Sequence, residues 1–208
     1  MAKIDNASFS NFGITGRLQI AKTAQDVLLW IVTFSVVTLT VFLLLHHGGV
    51  WWRPGDYVSL WSSEVWSSHN SQHPFDPYTL THMLHGVLCF WTINIFTKKL
   101  PLSRQFFLAI LFACSWELLE NSAFVIERYR IVTASADYMG DAVINSLSDI
   151  LSCGFGFLIA RQIKYSHSVV IFLVIELAMA FWVRDNLTLN VLMLVYPLET
   201  IRLWQMNL

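Results

Sequence analysis

Charge is scarce in this chain. Only 13% of its 208 residues are Asp, Glu, Lys or Arg, against about 25% in soluble globular proteins. With 55% hydrophobic residues and a mean hydropathy of +0.54, that deficit excludes a soluble domain and indicates an integral membrane protein. An excess of either sign is missing too. The formal net charge is −1, so nothing draws the chain as a whole to nucleic acid. Cysteine is rare. Cys89, Cys114 and Cys153 sit in apolar segments without metal-ligand spacing, which reads as packing rather than ligation or disulfides. No internal repeat is evident, which counts against a repeat-built transporter. No small-residue cleavage site follows the first apolar run, so that run is expected to remain as a membrane helix.

What the chain does have is apolar runs of crossing length. They predict an all-α, multi-pass transmembrane helix bundle with crossings at 27–45, 78–96, 106–126, 137–159 and 169–183, and a candidate sixth at 187–203. Residues 1–22 read as a cytoplasmic lead-in, and 23–208 as a single membrane domain. The connection 46–77 is rich in tryptophan (Trp51, Trp52, Trp61, Trp66), which suits the headgroup region, and Arg53-Pro54-Gly55-Asp56 inside it is a turn signal. Lys98 and Lys99 belong to a tight basic loop after the second crossing. With six crossings and the N-terminus inside, nine basic residues fall on the cytoplasmic side and four outside, so the positive-inside rule favours a cytoplasmic N-terminus.

That orientation sorts the unusual polar residues. His82 and His85 open the second crossing. Glu117, Glu120 and Asn121 lie in the outer half of the third. Asp141, Asn145 and Asp149 lie in the outer half of the fourth, and Arg184-Asp185 follows the fifth. The loop bearing His69 and His73 is on the same side. Within each segment the spacings of three, four, seven or eight residues put each set on one helical face. Acids inside a membrane face the bundle interior and mark function by default. Gly156, further along the face of Asp149, lets a neighbouring helix approach closely.

Two histidines with carboxylates from two other helices form a mixed nitrogen–oxygen ligand set. It suits zinc, manganese or iron better than calcium or magnesium, with zinc or manganese the leading expectation. On this reading His82, His85, Glu117 and Asp149 hold a divalent metal, and His85, Glu117, Glu120 and Asp141 supply the catalytic acid/base groups. Asn121, Asn145, Arg184 and His73 contact substrate. Without a metal, a histidine beside a buried carboxylate is a general acid/base pair. The alternative is structural: the same side chains bond across helices and only fix the packing. Arg128 and Arg130 read as flanking charges or headgroup contacts, and Glu176 as a core acid, a partner of the cluster, or one station of a proton relay.

The series Asn70-Ser71-Gln72-His73, Thr81-His82-x-x-His85-Gly86, Trp116-Glu117-x-x-Glu120-Asn121-Ser122, Asp137-Tyr138-x-Gly140-Asp141-x-x-x-Asn145-Ser146-x-Ser148-Asp149 and Arg184-Asp185-Asn186-Leu187-Thr188-Leu189-Asn190 resembles an uncharacterised family of small bacterial inner-membrane proteins. The likeness covers about residues 50–205 and implies no particular activity. More loosely, His85, Glu117, Glu120, Asp141, Asn145, Asp149 and Gly156 are laid out in a way similar to the VanZ-like membrane proteins, which are tied to glycopeptide resistance at the cell envelope. The resemblance implies a bacterial inner-membrane protein in contact with the lipid bilayer and not with nucleic acid. The leading expectation is a polar periplasmic pocket acting on an envelope lipid or lipid-linked substrate. A non-enzymatic transporter, proton relay or assembly factor is the other.

Overall fold

The computed structural model describes residues 6–52, 59–97 and 100–206, with side chains from residue 23 onward. The Arg53-Pro54-Gly55-Asp56 turn and the Lys98-Lys99 pair lie outside the described residues. Among those described, the chain is all-helical: α1 (Asn6–His46), α2 (Tyr78–Thr97), α3 (Leu102–Glu120), α4 (Ala123–Val132), α5 (Val143–Gln162), α6 (Tyr165–Trp182), α7 (Leu187–Val195) and α8 (Glu199–Met206). Thr23–His46, α3, α5 and α6 are long and apolar enough to cross a membrane, which marks a membrane protein. At 20 residues α2 has the length as well, but its histidines and threonines lower its hydropathy, and its polar face is buried against α5.

No proline interrupts residues 6–46. The lead-in and the first crossing are therefore one helix. The segment 106–126 breaks instead of running through. Ser122 is extended, donates to the Leu119 carbonyl and caps the amide of Val125, so α3 stops and α4 leaves in a new direction. The segment 137–159 also starts later than its apolar pattern suggests. Residues up to Ala142 are a loop, with Gly140 at φ +81. A side chain there would meet Ile126 at 2.8 Å. Asp141 thus reaches the interior from a loop, not from the helical face of Asn145.

The first turn of α5 has no side-chain cap. Its amides are taken up by distant carbonyls instead: Ala142 donates to Ser71, Val143 to Val50 and Ile144 to Trp51. Further along, α5 crosses α2 at two glycines. A Cβ on Gly86 would lie 2.0 Å from the Cys153 carbonyl oxygen, and one on Gly156 would lie 2.0 Å from that of Met83. Backbone meets backbone there, as small residues permit in membrane bundles. Cys89, Ala109 and Phe157 close the core between α2, α3 and α5. Cys114 and Cys153 pack with Ile110, Ala113 and Ile150. All three cysteines are buried free thiols.

The stretch 187–203 is not one crossing. Helix α7 has nine residues and ends at Tyr196, and Pro197, which lacks an amide donor, prevents its continuation. Helix α8 doubles back. Gln205 donates to Asp185, and Arg184 donates to the Trp204 carbonyl, so the hairpin returns to the end it left. Glu176 of α6 secures the hairpin. Its two carboxylate oxygens accept the amides of Leu187 and Thr188 at 2.9 and 3.1 Å, at the positive end of the α7 dipole. Glu176→Leu is expected to destabilise the protein by about 2–3 kcal/mol, because the buried Leu187 amide and the Thr188 amide beside it lose their acceptors. Glu176→Gln should lose about half as much. Thermal unfolding in detergent reads both, and an unchanged midpoint for the leucine variant would refute the capping role.

Candidate metal centre

The loop 59–77, the start of α2, the end of α3, α4, the loop before α5 and the turn after α6 meet at one end of the bundle. They enclose a cavity of about 40 Å³, room for an ion with a water or two. Its wall includes His82 and His85 from α2, Trp116 and Glu120 from α3, Tyr129 from α4, Asp149 from α5, Asp141, and Asp185 with Asn190 beside α7. No lysine or arginine is among its lining residues.

His82 is the centre of the arrangement. Its Nδ1 lies 3.5 Å from Glu117 Oε1, and its Nε2 lies 3.7 Å from Asp149 Oδ2. Ligand atoms of His82, Glu117 and Glu120 all fall within 4.8 Å of one another. Neutral imidazole has one proton for two nitrogens, yet both nitrogens here face acids. Glu117 is 1% exposed and neither of its oxygens has a hydrogen-bond partner; Glu120 Oε2 and Asp149 Oδ1 are also buried and unpartnered. Unpaired buried acids are costly. As ionised carboxylates, the set has too many oxygens and too few cations to be satisfied by itself. A divalent ion on the Glu117 side of the ring would satisfy it, with Asp149 holding the opposite nitrogen. Carboxylates commonly orient metal-bound histidines in this way.

His85 stands edge-on to His82, with ring centroids 5.2 Å apart, and packs equally close to Trp116. It lines the cavity without joining the three-residue group. Asp141 is fixed by other partners: Tyr138 donates to Oδ1 at 2.7 Å and Asn121 Nδ2 donates to Oδ2 at 2.9 Å, while Asn121 Oδ1 accepts the Asp141 amide. Asn121 thereby pins the end of α3 to the loop before α5. Asn145 Nδ2 donates to the His73 carbonyl at 2.7 Å and faces Asp76 at 3.5 Å. The amide orientation is set by those two acceptors, so Oδ1 points the other way and has no partner. Burial and the nearby Asp141 carboxylate push Asp76 up to about 7.

None of the four expected substrate contacts is in the cavity wall: Asn121 and Asn145 stand behind it in the bonds just described, and the other two lie elsewhere. His73 stacks on His69 and its Nδ1 meets the Ser59 carbonyl, so it ties the loop together outside the cavity wall. Arg184, at φ +54, turns the chain and lies against α8. Its neighbour Asp185 is the residue that enters. Asp185 accepts from Tyr78 at 3.0 Å, and burial pushes it up to about 7. Three tyrosines to which the sequence pattern assigns no role also reach the site. Tyr78, Tyr129 and Tyr138 each direct a hydroxyl at a carboxylate: Asp185, Glu120 and Asp141. Tyr129 also makes a short hydrogen bond to Asn190. Burial, followed by neighbouring carboxylates, holds Tyr129 and Tyr138 well above the ordinary phenol range, so both remain donors. The one legible signal was the spacing of Tyr138 three residues before Asp141.

The family described as Protein of unknown function (DUF2585) matches residues 44–207. The chain belongs to the DUF2585 family. That match takes in α2 through α8 and every residue of the cluster. Among curated relatives, a UPF0314 protein of Rhizobium meliloti (strain 1021) is 40% identical over 195 residues, 90% of this chain and 98% of its own length. A UPF0314 protein of Paracoccus denitrificans (strain Pd 1222) is 41% identical over 173 residues, covering 83% of this chain and 90% of its own. One from Brucella anthropi is 44% identical over 151 residues, 73% of this chain and 76% of its own. No solved structure matches this DUF2585 chain.

Proposed function

We propose that this DUF2585 protein is a multi-pass protein of the bacterial inner membrane that holds a divalent cation of the zinc or manganese type. His82, Glu117 and Glu120 are the ligands and Asp149 orients His82. The ion serves hydrolysis of, or group transfer to, an envelope lipid or lipid-linked substrate. One observation carries the reading: both ring nitrogens of His82 face buried carboxylates, and oxygens of those carboxylates lack any other partner. Such an ion polarises a phosphoryl or acyl oxygen and acidifies a bound water. His85, beside the cluster, is then the general base, and Asp141 and Asn145 position water or substrate.

Charge placement supports a periplasmic site. Counted along the sequence by segment, with 187–203 no longer taken as a crossing, eight basic residues fall on the N-terminal side of the membrane and five on the other, so the positive-inside rule still favours a cavity facing outward. The bacterial sources of the relatives agree with the inner-membrane assignment. The proton-relay alternative is weakened, since Glu176, its mid-membrane acid, serves as the cap of α7.

Metal analysis of protein purified without chelator tests the proposal. Wild type is expected to carry stoichiometric zinc or manganese and His82→Ala none, whereas Arg184→Gln should keep it. Absence of stoichiometric metal from wild type, together with no thermal stabilisation by added zinc or manganese, would overturn the metal centre.

A further inference from the structure

Helix α4 follows directly on a candidate membrane span. Its two faces are unlike. Val125, Tyr129 and Val132, spaced by four and three residues, are buried, and Tyr129 sends its hydroxyl into the cavity. Phe124 and Ile131, on the outward side, are 77% and 61% exposed. Apolar residues this exposed, just beyond a membrane span, suit the boundary between headgroups and acyl chains.

Arg128 and Arg130 stand on either side of Tyr129. Arg128 shares the stripe of Phe124 and Ile131, at positions four and three residues from them. Each guanidinium is tethered by its Nε, Arg128 to the Leu194 carbonyl at 3.1 Å and Arg130 to the carbonyl of Tyr138. Leu194 belongs to α7, whose Asn190 lines the cavity, and Tyr138 lines it too. Because each tether uses Nε, neither of them engages the two terminal amino groups of its guanidinium. Those two groups are the fork which binds phosphate in two-point fashion. A charge needed only to flank a membrane span could equally be lysine. Among the described residues, the cavity end has arginine and no lysine.

We propose that Arg128 and Arg130, on the two flanks of the outward face of α4, each bind the phosphate of a bilayer phospholipid, with acyl chains lying along Phe124 and Ile131 and headgroups held at the cavity end. This names the substrate class for the metal centre. It rests on that reading for the chemistry, though not for the binding.

Lipid retention measures the binding directly. The full chain in neutral detergent is titrated with phosphatidylglycerol and examined by native mass spectrometry. The wild type is expected to retain the lipid. Replacing both arginines by glutamine should abolish retention. Arg128→Lys with Arg130→Lys keeps the charge but removes the forks, and should weaken it about ten-fold. The single exposed change Arg130→Lys, the least disruptive to packing, should weaken it in the same direction. Two further probes separate the sources of affinity. Glycerol phosphate binding as tightly as the lipid would assign the forks to a soluble phosphate. Diacylglycerol retained as well as phosphatidylglycerol would assign retention to the apolar stripe alone. Either result, or wild-type retention by the lysine pair, overturns the proposal. Metal content read on the same samples keeps the two hypotheses apart: the arginine variants should keep their metal, and His82→Ala should keep its lipid.

Discussion

Gly86→Ala and Gly156→Ala are each expected to prevent assembly of the bundle. The added methyl groups would sit 2.0 Å from carbonyl oxygens of the facing helix. Neither oxygen can rotate aside as a side chain would, so α2 and α5 must separate. Overpacking of this kind costs about 3 kcal/mol or more, and here it also parts His82 on α2 from Asp149 on α5. Gly154→Ala is the control within the same helix. Its methyl would meet the ends of the Ile110 and Phe106 side chains at 3.1 and 3.2 Å, which can yield, and alanine improves helix propensity by about 1 kcal/mol. Size-exclusion profiles and thermal unfolding in mild detergent should show the first two variants aggregated or unfolded and the third close to wild type. A well-folded Gly156→Ala protein would mean that the helices do not approach as described.

Glu117→Gln should shift stability in opposite directions with and without metal. In chelator, the wild type holds a buried acid whose oxygens have no hydrogen-bond partner. Neutralising it should raise stability by about 1–3 kcal/mol. In excess manganese or zinc the order reverses. An ion at a hundred times its dissociation constant adds about 2.7 kcal/mol to a protein that binds it only when folded, and the variant forgoes that gain. A residue kept only for packing would give a variant weaker under both conditions, and that outcome would sink the metal reading. Differential scanning fluorimetry with and without chelator distinguishes the two.

Segment direction and hydropathy were enough to send His82, Glu117, Glu120, Asn145 and Asp149 to one end of the molecule, because a helix that crosses a membrane leaves its ends no choice of side. They could not resolve events at those ends. The break at Asn121-Ser122 is one: hydropathy continues into Phe124, Val125 and Ile126, and only the capping chemistry of Ser122 stops the helix. Asp141 is another. Its spacing of four from Asn145 imitates a helical face, but the chain there is a loop, and Asn121 is what draws it inward. Between Arg184 and Asp185 the sequence offers no means of choosing. The left-handed backbone at Arg184 decides, and it sends the acid in. Glu176 sits in apolar surroundings like the cluster acids, yet its partners are backbone amides more than ten residues away, which no residue pattern reveals.

The backbone capping of α5 carries a consequence for biogenesis. The carbonyls that receive the amides of Ala142, Val143 and Ile144 belong to Ser71, Val50 and Trp51, and all are synthesised before α5 emerges from the ribosome. When α5 folds, the residues that carry its acceptors have already been made. Until that connection docks, the leading amides of α5 rely on water or lipid headgroups. A chain with the 50–71 connection altered should therefore insert its helices and still stall before its fifth helix settles, exposed to membrane quality-control proteases at that step rather than earlier.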